Sequence, residues 1–199
     1  MKSWLIPALA MAWAVAVPLA ATAASPEPSS GVAVVDGSYS EWNLTTDFFA
    51  DMYRAGDTTK VVESKLYLRY DCVNNTLYAL VLEVPGVIGY IDLTAVTSWI
   101  AVDGISRKVV NEVSGNDGIP PDFAWIDRGY DGNLQHVRGY EASFTLVPGS
   151  YEIIAHTDVW DTKSQTSATS GFPKRGLVIL TQPSAVEPST FGLIKALYR

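Results

Sequence analysis

Oxygen-bearing side chains in the second half of the chain could bind a metal ion. The segments NDGIPPD and DRGYDGN contain Asn116, Asp117, Asp122, Asp127, Asp131 and Asn133. Calcium takes about six to eight oxygen ligands, and a glycine-rich acidic loop can supply them from side chains and backbone. We therefore predict Asp117, Asp122, Asp127 and Asp131 as ligands of a structural calcium ion. Because the spacing does not follow the EF-hand pattern, a loop that is only solvated is the alternative.

A second group of side chains could hold a neutral sugar. In SYEIIAHTDVW, Ser150 to Trp160, strand alternation directs Glu152, Ile154, His156, Asp158 and Trp160 away from the core. The CH faces of a sugar stack on aromatic rings while its hydroxyls meet polar groups. We predict His156, Asp158, Trp160 and, in the acidic segment, Trp125 as ligand-binding residues, with Trp99 as a further candidate. The alternative for each tryptophan is a core or loop-anchoring role.

Signatures of catalysis do not occur in the chain. The two histidines are His136 and His156, and no nucleophile-elbow, zinc-protease, phosphate-loop or paired-cysteine motif is present. Acidic residues are numerous, but nothing marks two of them for glycoside hydrolysis. The single cysteine, Cys72, has no intramolecular partner, so it is either a buried thiol or one half of an intermolecular disulfide. The sequence favours a binding protein over an enzyme.

Short β-rich runs, separated by turn residues, must position these groups. SKLYLRYD alternates between two faces, TLYALVLEV is almost wholly apolar, and SWIAVDGISRKVV has the Asp-Gly turn of a hairpin. Further strands are expected at GVAVV (31–35), VRGYEASFTL (137–146), SYEIIAHTDVW and GLVIL (176–180). Such a pattern predicts an all-β fold, an antiparallel β-sandwich of the immunoglobulin or jelly-roll kind.

Two segments lack strand character. Residues 45–60 are expected to form a short helix or a loop anchored by aromatic residues, and residues 114–135 form one long acidic loop. Long ordered loops on a β scaffold are where binding usually resides.

The start of the chain predicts export. Lys2, an apolar run from Trp4 to Leu19 and the small residues Ala21–Ala23 are typical of a signal peptide, residues 1–23, cut after Ala23. An uncleaved anchor is the alternative. Residues 24–30 would then form a flexible leader, residues 31–181 the domain, and residues 182–199 a tail rich in Pro and Ser. We expect a secreted or cell-surface protein without stable membrane insertion.

The charge of the chain limits its partners. With 14 basic and 21 acidic residues the formal net charge is −7. Binding of nucleic acid needs a basic surface, so nucleic acid is excluded as a partner. An acidic surface is compatible with neutral ligands and divalent cations, and it also keeps proteins soluble.

Three motifs resemble a known family. VDGSYSEW, then KLYLRYDCVNNTLYALVLEV, then GYEASFTL are similar in order and spacing to family-nine carbohydrate-binding modules and the related DOMON-type sandwiches. The resemblance implies the sandwich fold, a glycan ligand and a structural calcium ion. Some DOMON relatives bind haem through Met and His, which here would be Met52, His136 and His156. The chain departs from the family in the turn DCVNN and in having no clear counterparts of the sugar-sandwiching tryptophans.

Residues 186–190, VEPST, resemble the sorting box of PEP-CTERM bacterial surface proteins, but its first proline is missing. Alternatively, residues 188–194 resemble the closing strand of the carbohydrate-binding family.

Taken together, the sequence predicts a secreted, non-catalytic module for extracellular polysaccharide, stabilised by calcium. The alternatives are a structural surface or matrix protein acting through protein contacts and, third, an exported glycosidase accessory or haem-binding domain.

Overall fold

The computed structural model describes residues 27–87, 91, 98–103, 108–127, 129–131, 134–159, 162–165 and 176–181, and they form an all-β, sandwich-like fold. Its strands are β1 (Ser29–Ser30), β2 (Phe48–Arg54), β3 (Val62–Asp71), β4 (Thr76–Glu83), β5 (Ser98–Asp103), β6 (Lys108–Asn111), β7 (Phe123–Ile126), β8 (Gly129–Asp131), β9 (Leu134–His136), β10 (Gly139–Thr145), β11 (Gly149–Val159), β12 (Thr162–Gln165) and β13 (Gly176–Leu180). A short 3-10 helix, Glu112–Ser114, follows β6.

One long sheet supplies both layers. Its strand order is β6-β5-β11-β12-β2-β3-β4-β10-β7, with β13 paired to β11 and β1 paired to β3. Apolar side chains from the β5–β6–β11 part and from the β3–β4–β10–β7 part meet in one buried cluster, which includes Ile100, Ile153, Leu68, Ala79 and Phe144. The two parts of the sheet therefore face each other across the main core. Strands β8 and β9 pair only with each other among the described residues.

The alternating segments form the strands that their patterns predict. In β3, Leu66, Leu68 and Tyr70 point into the main core, while Tyr67 packs in a second cluster on the opposite face. Strand β4 lies between β3 and β10, as its continuous apolar run predicts. Strands β5 and β6 pair antiparallel, which confirms a hairpin, but Val102 pairs with Lys108, so the register is not that of the predicted two-residue Asp-Gly turn. The all-β prediction is confirmed, although β1 and β3 run parallel, so the sheet is mixed.

The outer face of β3–β4–β10–β7 is covered by residues 31–47, which we call the N-terminal cover. Ala33 and Trp42 of the cover pack on Tyr67, Leu80 and Ile126 in the second apolar cluster. Trp42 is buried, so its indole acts as a packing group between the cover and the sheet.

An ion pair fastens the end of the cover to the sheet. Arg69 of β3 lies 2.7 Å from the buried carboxylate of Asp47, and its Nη2 also donates to the Glu41 carbonyl at 2.7 Å. Asp47 accepts further hydrogen bonds from Ser29 Oγ and from the Asn43 N–H. Burial raises the pKa of Asp47, but the hydrogen bonds from Arg69, Ser29 and Asn43 outweigh it, so the pKa lies below 3.8.

Three predictions about individual segments are wrong. Residues 45–60, expected to be a helix or loop, contain the seven-residue strand β2, whose pairing with β3 is interrupted by two register shifts. Residues 31–35, expected to be the first strand, belong to the N-terminal cover instead. Residues 114–135 are not one long loop, because they include β7, which pairs with β10.

Candidate functional site

Aromatic and polar residues share one row across the outer face of the β5–β11 part of the sheet. Their Cα atoms are direct cross-strand partners: Asn111 of β6 with Trp99 of β5, and Trp99 with His156 of β11. Partners in antiparallel strands point to the same side of the sheet. Their neighbours Ile100 and Ala155 point into the core, so the row faces outward.

Trp99, His156 and Asp158 form a compact cluster within this row. The indole of Trp99 stacks on the imidazole of His156, with ring centroids 4.9 Å apart and planes inclined by 5°. His156 Nε2 lies 2.8 Å from Asp158 Oδ1. His156 is buried, whereas Trp99 and Asp158 are partly exposed. A ligand can therefore reach an indole and a carboxylate whose positions are fixed by the buried imidazole between them.

Hydrogen bonds from the core hold the backbone beneath this cluster. The Tyr140 hydroxyl of β10 shares its single proton between the carbonyl oxygens of Trp99, at 2.8 Å, and of His156, at 3.0 Å. The hydroxyl oxygens of Ser98 and Thr157, on the same two strands, form a hydrogen bond of 2.7 Å. Complete burial raises the pKa of Tyr140, so its hydroxyl remains a donor across the physiological range. The cluster is thus built on a rigid strand pair, which preorganises it for binding.

A second polar cluster lies under the N-terminal cover. Glu141 of β10 is buried and accepts hydrogen bonds from Trp42 Nε1 at 2.8 Å, from the Gly37 N–H at 3.0 Å and from the Asp36 N–H at 3.2 Å. Burial raises the pKa of Glu141 from 4.5 to about 7, and the three donors offset only part of this effect. The first and third family-like motifs, VDGSYSEW and GYEASFTL, therefore meet at one carboxylate, and its role is to hold the cover in place.

No family model matches this chain, and no curated protein or solved structure is significantly similar to it. The resemblance to carbohydrate-binding modules therefore stays a prediction that rests on the three motifs. None of the described residues forms a helix with the length and hydrophobicity that a membrane span requires.

The predicted ligand aromatics lie in different environments. Trp125 of β7 is 8% exposed and packs edge-on against Phe123 and Tyr140 in the main core. This is the location of a core residue, because the pairing of β7 with β10 turns the indole inward. Trp160 lies outside the described residues. Trp99, the further candidate, is the aromatic that the structure joins to His156 and Asp158.

The carboxylates of three predicted calcium ligands, Asp117, Asp122 and Asp127, contact hydrogen-bond donors or a guanidinium group of the protein. Asp122 is buried and its Oδ1 accepts the N–H groups of Asp117 and Gly118 at 3.0 and 3.2 Å. Asp117 Oδ1 accepts the Ile119 N–H, and Asp127 Oδ2 lies 3.7 Å from Arg138 Nη1. Within the part of the chain that the structure describes, no three acidic, histidine or cysteine side chains form a metal-binding group. The side chain of Asp131 is outside that part.

Calcium at this segment stays a prediction that a chelator tests. If an ion joins Asp117, Asp122, Asp127 and Asp131, EDTA should lower the melting temperature by several degrees, because an ion bound only to the folded state stabilises it. Differential scanning calorimetry with and without added calcium measures the change. An unchanged melt would show that the hydrogen bonds of the segment suffice.

The candidate haem ligands do not form a site in the described residues. Met52 is fully buried in the main core, where its sulfur lies 3.7 Å from Ser64 Oγ. His156 stacks on Trp99 on the opposite face of the sheet. Only the backbone of His136 is described.

Two residues of functional interest were not predicted from the sequence. Asn111 extends the Trp99 row by one strand, and a two-residue turn at Asp103-Gly104 would instead have placed Lys108 opposite Trp99, so the turn signal does not predict this position. Glu141 lies within the motif GYEASFTL. Its contact with Trp42 spans 99 residues of sequence, so no local pattern could reveal it.

Proposed function

We propose that this chain is an exported, non-catalytic binding protein whose ligand is an extracellular polysaccharide. The observation that supports the proposal is the stacked pair of Trp99 and His156 beside the partly exposed Asp158. A fixed indole offers an apolar surface to the CH face of a sugar, and the carboxylate accepts hydrogen bonds from its hydroxyls.

The shape of the row suits an extended ligand. Adjacent strands lie about 4.8 Å apart, so a row across β6, β5 and β11 spans roughly 10 Å perpendicular to the strands. Asn111 Oδ1 accepts the Val113 N–H at 3.1 Å, and its amide group adds donor capacity one strand away from Trp99. A chain of sugars lying along the row would meet stacking and hydrogen-bonding groups in succession.

Removal of the indole should abolish most of the binding. We expect Trp99→Ala to weaken polysaccharide binding at least about tenfold, and Asp158→Asn to weaken it less, because an amide oxygen still accepts hydrogen bonds. Trp160, which follows Asp158 in the same segment, remains a predicted second platform, and Trp160→Ala should weaken retention as well. Affinity electrophoresis in gels containing soluble polysaccharides, selected by a glycan array, measures these changes.

A matched control comes from an aromatic residue remote from the row. Phe48 of β2 is exposed and contacts Tyr67 edge-on, so Phe48→Ala removes a comparable ring without touching the site. Its retention should equal that of the unmodified protein. Equal retention of Trp99→Ala and Phe48→Ala would refute the assignment of the site.

A second candidate function is that of a structural surface protein that acts through protein contacts. The specific observation in its favour is a group of exposed aliphatic side chains near strand β6: Val109, Val113 and Ile119. Concentration-dependent association without sugar binding would favour this function over polysaccharide recognition.

A further inference from the structure

The chain contains two short sequences that match the acceptor pattern for N-glycosylation, N-x-S/T. They are NLT at residues 43–45 and NNT at residues 74–76, and both lie in the described part of the chain. The pattern requires an asparagine side-chain nitrogen, which receives the glycan, and a hydroxyl group two residues later. The pattern is the same in both places, so the environment of each sequence in the folded chain has to distinguish them.

The first sequence lies on an exposed turn at the end of the N-terminal cover. Asn43, Leu44 and Thr45 are all exposed. Asn43 Oδ1 accepts the Thr45 N–H at 3.0 Å and the Thr46 N–H at 3.2 Å. Since both partners are donors, they fix which end of the amide is the oxygen. The other end, Nδ2, forms no hydrogen bond with the described residues, so the acceptor nitrogen of Asn43 is accessible.

The same turn is ordered and leaves the threonine hydroxyl available. Asp47 accepts the Asn43 N–H at 2.8 Å, and its own N–H donates to the Asn43 carbonyl at 2.9 Å. The ion pair of Asp47 with Arg69 anchors the turn to β3. The Thr45 hydroxyl forms no hydrogen bond within the described chain. A transferase would therefore meet Asn43 and Thr45 on a surface that is already in one conformation, which lowers the entropic cost of recognition.

The second sequence is engaged by the folded chain itself. Asn74 Nδ2 donates to Asp71 Oδ2 at 2.6 Å. Thr76, two residues later, is the first residue of β4 and is only 5% exposed. Its hydroxyl donates to the Asn74 carbonyl at 3.3 Å. Both groups that the acceptor pattern requires are thus occupied in the turn between β3 and β4.

We propose that Asn43 is an N-glycosylation site and that the folded chain protects Asn74 from the same modification. The donor is a glycan on a polyprenyl pyrophosphate. Asn43 Nδ2 forms a bond to the anomeric carbon of the glycan, and the bond from that carbon to the pyrophosphate oxygen breaks. The proton lost from Nδ2 passes to a base of the transferase. The proposal rests on the export part of the proposed function, because N-glycosylation acceptors lie on the surfaces of secreted proteins.

A glycan on Asn43 would leave the Trp99 row uncovered. The N-terminal cover packs on the outer face of β3–β4–β10–β7, and the row lies on the outer face of the β5–β11 part of the sheet. These two faces lie on opposite sides of the main core. Modification of Asn43 is therefore compatible with polysaccharide binding.

Mass spectrometry of the protein isolated from its source tests the assignment. Electron-transfer fragmentation keeps a glycan on the residue that carries it, so each acceptor is read separately. We expect the added mass on Asn43 and none on Asn74. An unmodified Asn43, or a glycan on Asn74, would overturn the proposal.

A reaction with purified components tests the same site independently of export and of polysaccharide binding. The folded full chain is incubated with an oligosaccharyltransferase that accepts the N-x-S/T pattern and with a polyprenyl-pyrophosphate oligosaccharide. We expect Asn43→Gln to lose the modification completely and Asn74→Gln to retain it. Modification that persists in Asn43→Gln would overturn the assignment.

Thr45→Ala and Thr46→Ala form the matched pair for this reaction. Both retain the N–H groups that bind Asn43 Oδ1, so both should keep the turn and the fold. Only Thr45→Ala removes the hydroxyl that the acceptor pattern requires. We expect Thr45→Ala to lose the modification and Thr46→Ala to be modified like the unmodified chain. Equal modification of the two variants would show that the transferase does not read residues 43–45, which contradicts the proposal.

Discussion

Replacement of Gly139 by alanine should lower the free energy of unfolding by more than about 3 kcal/mol. A Cβ atom at this position would lie 1.8 Å from the Val81 carbonyl oxygen and 3.1 Å from Leu82 Cα. Both atoms belong to the backbone of β4, which is held between β3 and β10 and cannot move aside. The substitution would therefore separate β10 from β4, and urea unfolding followed by tryptophan fluorescence measures the loss.

Gly149→Ala is the matched control for this experiment. Its nearest contact would be the ring of Tyr151 at 3.3 Å, the far end of a side chain that can shift. We expect it to cost less than about 1 kcal/mol. A Gly139→Ala variant as stable as Gly149→Ala would show that β10 and β4 do not approach as closely as described.

Strands with a single regular pattern could be predicted from the sequence, and strands with irregular pairing could not. The alternation of SKLYLRYD identified β3, whose register with β4 is continuous from Ser64 to Asp71. The sequence pattern does not predict strand β2, because two register shifts interrupt its pairing and only Met52 among its residues is buried. A period of two is lost wherever a bulge inserts an unpaired residue.

Members of the candidate site could be predicted only where the alternation of side chains along a residue's own strand gives its orientation. Alternation in β11 placed His156 and Asp158 together on the outward face, and their side chains are in contact. The sequence predicts a loop around Trp125 because Gly, Pro and Asp surround the short strand FAWI. Its burial depends on pairing with β10, and strand pairing is a long-range event that local composition does not encode.

The free energy of unfolding should fall by about 3 kcal/mol as the pH rises from 4.5 to 7, through the ionisation of Glu141. Burial raises the pKa of Glu141 to about 7 in the folded protein, whereas the ordinary value is 4.5. The folded state therefore binds the proton more tightly, so the stabilisation is fully present below pH 4.5 and is lost as the pH rises through 7. Urea unfolding at a series of pH values measures this fall.

Two carboxyl groups whose pKa values are lowered by folding affect the stability in a different pH range. The pKa values of Asp47 and Asp71 lie below 3.8, because hydrogen bonds to each carboxylate outweigh the effect of burial. Their stabilisation is present above pH 3.8 and is lost only as the pH falls further. These two carboxylates do not change the free energy of unfolding between pH 4.5 and 7, so they add nothing to the fall expected from Glu141.

Glu141→Gln is the variant that separates ionisation from packing. The protonated carboxyl group of Glu141 at pH 4.5 still has lone pairs on both oxygens for N–H donors, whereas an amide has only one acceptor oxygen, so the variant should be less stable at pH 4.5. Its stability should nevertheless change little between pH 4.5 and 7, and subtraction from the unmodified protein cancels the titration of histidines. Equal pH dependence in both proteins would show that Glu141 does not ionise in this range.

Glu41→Gln provides a graded control for the same group. Glu41 is exposed on the N-terminal cover, and its charge contributes to the raised pKa of Glu141. Removal of that charge should move the fall in stability to lower pH while Glu141 still ionises. We expect the midpoint to move in Glu41→Gln and the fall to disappear in Glu141→Gln. Together these results would show that the buried carboxyl group of Glu141, which accepts the Trp42 N–H, sets the pH dependence of the free energy of unfolding.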